Sequence, residues 1–275
     1  MYYFDFHTHA FVDAIAERAV ASLQKTSGIQ PATNGTASGL SKFCRDCGIK
    51  KHLILPVATK PLQQTNINNW AAEIQGEDTY CCGSVHPDAE DVLDEIERIK
   101  SLGLCGVKLH PEYQLFYPDE EKMLPIYRKA AELGLFVVFH GGWDPLSPDF
   151  VRAEPKRLAK AAEAVPEMTM IAAHLGGLKL WDDAEKYLAG KYENVYLDVS
   201  VTADDVSDEQ ALRIIKAQGA DKVLFGSDAP WDNPMDEINM INRLPLSDEE
   251  KELIFYKNAE SLLEFSNVRI HEQSN

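Results

Sequence analysis

Two histidines sit two residues apart near the start of the chain, in His7-Thr8-His9, and further candidates follow at His86, His110, His140 and His174. Asp228 stands in Gly226-Ser227-Asp228-Ala229-Pro230. On an extended strand side chains alternate with a period of two, so His7 and His9 project to one side and can share a metal ion. With His140 and Asp228 they form a set of imidazole nitrogens and one carboxylate, which suits zinc or a similar transition ion rather than calcium or magnesium. A divalent metal so held keeps a position open for water and lowers that water's pKa from 15.7 to about 7. Asp228 can then accept the proton. Taken singly each residue has a plainer reading, because strand-end histidines often make structural hydrogen bonds and an isolated Asp often caps a turn.

What would bring these residues together is a parallel sheet. Short β-branched or aromatic runs alternate with amphipathic stretches along the chain, the pattern of βα units. Eight strands are expected, at Tyr2–His7, His52–Pro56, Tyr80–Val85, Gly106–His110, Phe136–His140, Thr169–His174, Val195–Val199 and Lys222–Gly226. Phe136-Val-Val-Phe139 and Val223-Leu-Phe225 are continuously apolar, as in strands covered on both faces. Eight regular units over 275 residues favour an α/β fold of the (β/α)8 TIM-barrel type over an open doubly wound sheet, read as a single domain across residues 1–275. In such a barrel the C-terminal strand ends converge on one mouth, where five of the eight histidines are expected. Thr26–Gly39 reads as a polar surface loop with the makings of a lid, and helices are expected at Pro234–Leu244, Ser247–Phe255 and Asn258–Phe265. Ser207-x-x-Gln210 and Ser247-x-x-Glu250 read as capping boxes.

The set Asp5-Phe6-His7-Thr8-His9, Gly106-Val107-Lys108-Leu109-His110-Pro111, Phe139-His140-Gly141, Ala173-His174-Leu175-Gly176-Gly177 and Gly226-Ser227-Asp228-Ala229-Pro230 resembles the amidohydrolase superfamily. It looks closest to the amidohydrolase-related branch that includes aminocarboxymuconate-semialdehyde decarboxylase, and the similarity spans nearly the whole chain. The resemblance implies a metal held by His7, His9, His140 and Asp228, with Asp228 doubling as proton acceptor. It places His174 near the metal, either binding a second ion or polarising substrate. One zinc is expected, with manganese or a second ion as alternatives. Some members of the superfamily carry a carboxylated lysine on the fourth strand, so Lys108 is read either as a metal-bridging carbamate or as the partner of a substrate carboxylate. His110 shares its strand face. His110, His86, Trp143 and Trp231 are candidate substrate contacts around the mouth.

Two reactions fit. The leading one is hydrolysis of a C–N or C–O bond in a small carbonyl compound, with His174 steadying the oxyanion. The other is non-oxidative decarboxylation of an aromatic or unsaturated acid, which needs Lys108, Arg152 or Arg45 to hold a carboxylate. Metal-dependent phosphoester hydrolysis is disfavoured, because such nucleases have a glutamate near the fourth strand where this chain has Lys108. A net charge of −17 also argues against nucleic-acid partners. No long apolar segment suggests a membrane span or a secretory leader, so a cytoplasmic enzyme with a small-molecule substrate is expected, and assembly into a homo-oligomer stays open. Five cysteines give no disulfide framework, and the C-x-x-C of Cys44 and Cys47 follows a buried helix face with Leu40 and Phe43.

Overall fold

The computed structural model describes residues 1–266. Its strands are β1 (Tyr3–Thr8), β2 (Ile49–Ile54), β3 (Thr79–Cys81), β4 (Gly83–Ser84), β5 (Gly106–Leu109), β6 (Phe136–Phe139), β7 (Met170–Ala172), β8 (Val195–Asp198) and β9 (Val223–Leu224). Every strand pairing is parallel, in the orders β1-β2-β3 and β4 through β9. Only Cys82 separates β3 from β4, and the two occupy one position in the ring. Cys82 N donates to Ile54 O at 3.0 Å on one side, while Cys105 N donates to Cys81 O at 3.2 Å on the other. The ring closes where Phe6 N donates to Phe225 O at 2.8 Å and Asp228 N to His7 O at 2.7 Å. That seam makes an eight-position (β/α)8 barrel and excludes the open sheet.

The period-two pattern sorts the strand residues into two layers. Phe4, Phe6, Leu53, Phe136, Val138 and Ile171 fill the barrel interior. Their neighbours Val107, Leu109, Val137, Phe139 and Met170 pack outward against helices such as Val92–Ser101, Leu124–Glu132 and Pro155–Ala164. Ala259, Leu262 and Leu263 of the helix Asn258–Phe265 join the interior cluster, and Tyr256 stacks on Tyr2 with centroids 4.4 Å apart. The C-terminal helix thus closes the end opposite the mouth.

Three sequence expectations change in detail. The helices expected after the eighth strand are Pro234–Arg243, Asp248–Glu252 and Asn258–Phe265, the last two joined by a π-helical stretch, Leu253–Lys257. The widened turn leaves the Ile254 carbonyl available to Phe225 N at 2.9 Å. Ser247 and Glu250 form the expected capping box, whereas Ser207 caps its helix alone. The Gln210 amide is drawn off to Asp182 Oδ1 at 2.7 Å. The Thr26–Gly39 segment is loop only in its middle, since helices run over Asp13–Ser27 and Ala37–Asp46. The loop is fastened across the mouth by Ala32 N donating to Pro230 O at 2.8 Å. Leu40 and Cys44 are buried and Cys47 half-buried, all on the second of these helices or its end, and the thiols are unpaired. No helix among the described residues is long and apolar enough to cross a membrane.

Candidate functional site

β1 shifts register against β2 between Asp5 and Thr8, so the alternation that buries Phe4 and Phe6 in the interior is broken before His7. His9 lies one residue past the strand, held by its N–H donating to Ala229 O at 2.6 Å. The two imidazoles still converge: His7 Nε2 and His9 Nε2 are 3.2 Å apart, and Asp228 Oδ1 is 3.2 Å from the first and 2.9 Å from the second. Asp228 reaches them from a left-handed backbone conformation, φ 68°, fixed by its N–H on His7 O. Gly226 is required beside it, because a Cβ there would stand 2.7 Å from His7 Cβ.

The outer nitrogens of both histidines are committed to acceptors. His7 Nδ1 donates to Asp198 Oδ2 at 2.8 Å, and His9 Nδ1 donates to Leu55 O at 2.7 Å. Each ring as a neutral imidazole therefore turns a bare Nε2 lone pair toward Asp228 Oδ1. Lys108 Nζ, 3.3 Å from His7 Nε2, covers one of the three acceptors. His9 Nε2 and Asp228 Oδ1 still face each other at 2.9 Å, and with His9 neutral a cation bound to both would relieve that contact. Carboxylate and carbonyl groups behind metal-bound histidines fix the tautomer in this way. The donor set fits a divalent ion, and nitrogen ligands favour zinc or a similar transition metal.

Asp198 is the residue that the sequence reading missed. It ends β8, accepts from His174 N at 3.0 Å and Ser200 Oγ at 2.5 Å, and holds its charge despite burial because His7 keeps its pKa well below the usual carboxylate range. A lone carboxylate closing the apolar run Val195-Tyr-Leu-Asp198 was the available signal. Asp5, in the same layer, accepts from Ser227 N at 3.0 Å and His7 N at 3.2 Å, and burial pushes its pKa up to about 7. It ties β1 to the Asp228 loop.

His140 and His174 stand together beside the triad. His174 Nε2 is 3.1 Å from His140 Nδ1, and the His174 ring centroid is 5.2 Å from that of His7. His140 does not enter the tight His7–His9–Asp228 group; its Nε2 points to Trp143 O at 3.2 Å and lies 4.0 Å from Asp144 Oδ2. His110, Nε2 at 3.6 Å from the same Asp144 oxygen, stacks on His140 with centroids 4.3 Å apart. Its Nδ1 is buried without a partner. Burial and neighbouring cations hold His110 and His140 neutral, well below the ordinary histidine range. His174 Nδ1 is 2.9 Å from Ser200 O, and burial brings its pKa down to about 4. Lys108 is fully desolvated, which lowers its pKa to about 8 against the pull of Asp228 and Asp198.

A cavity of about 670 Å³ opens on these groups and is lined by His7, His9, Lys108, His110, His140, His174 and Asp228. Trp143 and Trp231 line it as expected. His86 does not: its Nδ1 accepts from Asp88 N at 3.2 Å. Neither Arg45 nor Arg152 lines the cavity, and Arg152 is paired with Glu112 at 2.9 Å. Gly141 and Gly142 admit backbone rather than substrate. A Cβ on Gly142, at φ 86°, would fall 2.2 Å from Leu178 N.

A barrel whose mouth gathers histidines and an aspartate around a cavity is the architecture of a (β/α)8 metal enzyme. A family profile described as Amidohydrolase matches residues 56–265, and the chain belongs to that family. Among curated proteins, none matches the chain significantly. Among solved structures, it is similar to an uncharacterised TIM-barrel protein of Bordetella bronchiseptica, at 17% identity and a TM-score of 0.75, over 97% of this chain and 99% of that one. It is similar to a dihydroxybenzoic acid decarboxylase of a Polaromonas species, with bound manganese and the inhibitor 2-nitroresorcinol, at 15% identity and a TM-score of 0.70 over 96% and 97%. A probable 2-pyrone-4,6-dicarboxylic acid hydrolase of Acinetobacter baumannii, with citric acid bound, aligns at 17% identity and a TM-score of 0.68 over 96% and 100%. These likenesses show the fold.

Proposed function

We propose that the chain is a metal-dependent hydrolase cleaving a C–N or C–O bond of a small carbonyl compound: an amide, ester or lactone. The observation that carries this reading is the meeting of His7 Nε2, His9 Nε2 and Asp228 Oδ1 at 2.9–3.2 Å with their tautomers set from behind. His7, His9, Asp228 and, as fourth ligand, His140 would hold one divalent ion, zinc or manganese, whose chemistry is to acidify water and polarise a carbonyl. Asp228 would take a proton from attacking water and return it to the leaving group. His174 has its Nδ1–H committed to Ser200 O and its Nε2 against His140 Nδ1 at 3.1 Å, so it would position His140 rather than act as an oxyanion donor. Lys108, the cation at this end of the cavity, is the group suited to steady developing negative charge.

Decarboxylation is the second reading, and Lys108 is the observation that favours it, since an ammonium beside the triad can pair with a substrate carboxylate. One experiment separates the two. Metal is stripped by a chelator, zinc or manganese is restored, and amides, esters, lactones and aryl or unsaturated acids are screened. Metal-restored hydrolysis supports the first reading. Carbon dioxide release from the acids with every amide, ester and lactone left intact would replace it with the second, and turnover indifferent to metal would sink both.

A further inference from the structure

The cavity extends away from the histidines along the helix Asp13–Ser27, which carries two apolar stripes but buries only one. Ala16 and Val20 face the protein, where the bare Cα of Gly35 makes room for Val20. Ile15, Ala19, Leu23 and Ser27, spaced by four, line the cavity instead, followed by Ile29 beyond the helix end. At 1.5 Å per residue that stripe is about 12 Å long from Ile15 to Leu23. Ile67 and Trp70 of the helix Gln64–Glu73 line it too. Ile15 and Ile29 are exposed, at 41% and 37%. Apolar side chains left uncovered beside a catalytic cluster mark a binding surface.

Charge divides this cavity sharply. Every lining residue between Ala10 and Trp70 is uncharged, whereas Lys108, Glu112, Asp144, Lys179, Asp205 and Asp228 all come later in the chain, from β5 onward. Among the described residues no arginine lines it, and Lys179 lies against Trp143, 4.0 Å from the ring centroid. We infer that this region is an acyl- or aryl-binding arm: the substrate joins its reacting carbonyl to an extended uncharged apolar group, which lies between the helices Asp13–Ser27 and Gln64–Glu73. A substrate with several carboxylates does not suit it. The inference rests on the hydrolase reading for the carbonyl end and on the cavity lining for the arm.

The arm is tested by binding, independently of turnover. Unbranched primary amides from acetamide to octanamide are titrated into the metal-restored protein by calorimetry, with Trp70, Trp143 and Trp231 as fluorescent reporters in the lining. Kd is expected to tighten about threefold to fourfold per added methylene, the factor for burying one CH₂. Leu23→Asp and Ala19→Trp, each checked for an unchanged circular dichroism spectrum, should flatten that dependence, so that octanamide and acetamide bind within about twofold of each other. A Kd indifferent to chain length in the wild type overturns the arm, as does a chain-length dependence kept by both variants. Concentration-dependent self-association that Leu23→Asp abolishes, with no chain-length effect, would assign the surface to a second copy of the chain and also overturn it. Amides bound with the expected dependence but never cleaved would sink the hydrolysis of amides and leave the arm standing. Amides cleaved at a rate and affinity blind to length would do the reverse.

Discussion

The loops after the first two strands and those after the later strands face one cavity with different chemistry. The early segments offer Phe11 from a loop and Ile15, Leu23 and Trp70 from helices, without a charge, whereas β5 offers Lys108 and the later strand ends offer His110, His140, His174 and Asp228. The polar side is rigid for a reason. His7, His9 and His174 each commit Nδ1 to a fixed oxygen, from Asp198, Leu55 and Ser200. The apolar side is held by backbone contacts such as Ala32 N to Pro230 O rather than by fixed imidazoles. One side thus sets reaction geometry and the other selects by area, so damage to each should be read by a different instrument.

The sharpest break between the two comes from the polar side. Asp228→Ala or His9→Ala should lower kcat/KM by about a thousandfold or more while the folded protein persists, since a ligand to a catalytic metal acts in the transition state. Steady-state kinetics with a melting curve checks this, and a loss below tenfold would remove the residue from the site. Beneath both sides, Phe136 fills the barrel interior with no exposure. Phe136→Ala should cost about 3–5 kcal/mol of stability in a urea melt, through lost burial and the cavity left behind. A cost under about 1 kcal/mol would mean that the interior collapses onto the space.

His52 on β2, below the apolar side, gives the pH test. Burial, with a smaller push from Arg45, lowers its pKa to about 4, and its Nε2 meets Ser41 Oγ at 3.2 Å. Between pH 6.5 and 4 the unfolded chain binds the proton that the folded chain refuses, so this stability is present above pH 6.5 and lost as pH falls toward 4. The amount is about 3 kcal/mol. His52→Gln should remove that part of the slope in parallel denaturant titrations, and identical slopes would contradict the assignment. The smallest effect concerns the support behind His7: Asp198→Asn should weaken metal affinity by about 10- to 100-fold in a competition titration against a chelator, with the ligands themselves untouched.

Much of this was legible because strands and metal ligands obey short-range rules. The apolar runs located all eight barrel positions, and the strand-end rule gathered His7, His9, His110, His140, His174 and Asp228 at one mouth. Rules of alternation do not see register shifts, so neither the break in β1 before His7 nor the split of the third position at Cys82 was visible. His86 was misplaced because a strand end says which rim a residue reaches, not which way its ring turns. The same limit hid the pairing of Arg152 with Glu112, forty residues earlier. The apolar stripe of the first helix was hidden for another reason: Ile15, Ala19 and Leu23 look like an ordinary buried face until the structure shows Ala16 and Val20 taking that part.

Whether His7, His9 and Asp228 together hold a metal ion is decided by elemental analysis after chelation, reconstitution with zinc or manganese and desalting. About one equivalent of metal per wild-type chain is expected, and less than about a tenth in a folded His7→Ala/His9→Ala/Asp228→Ala variant, because a catalytic metal needs three protein ligands. A wild-type protein that retains none, or a triple variant that retains as much as the wild type, would contradict it.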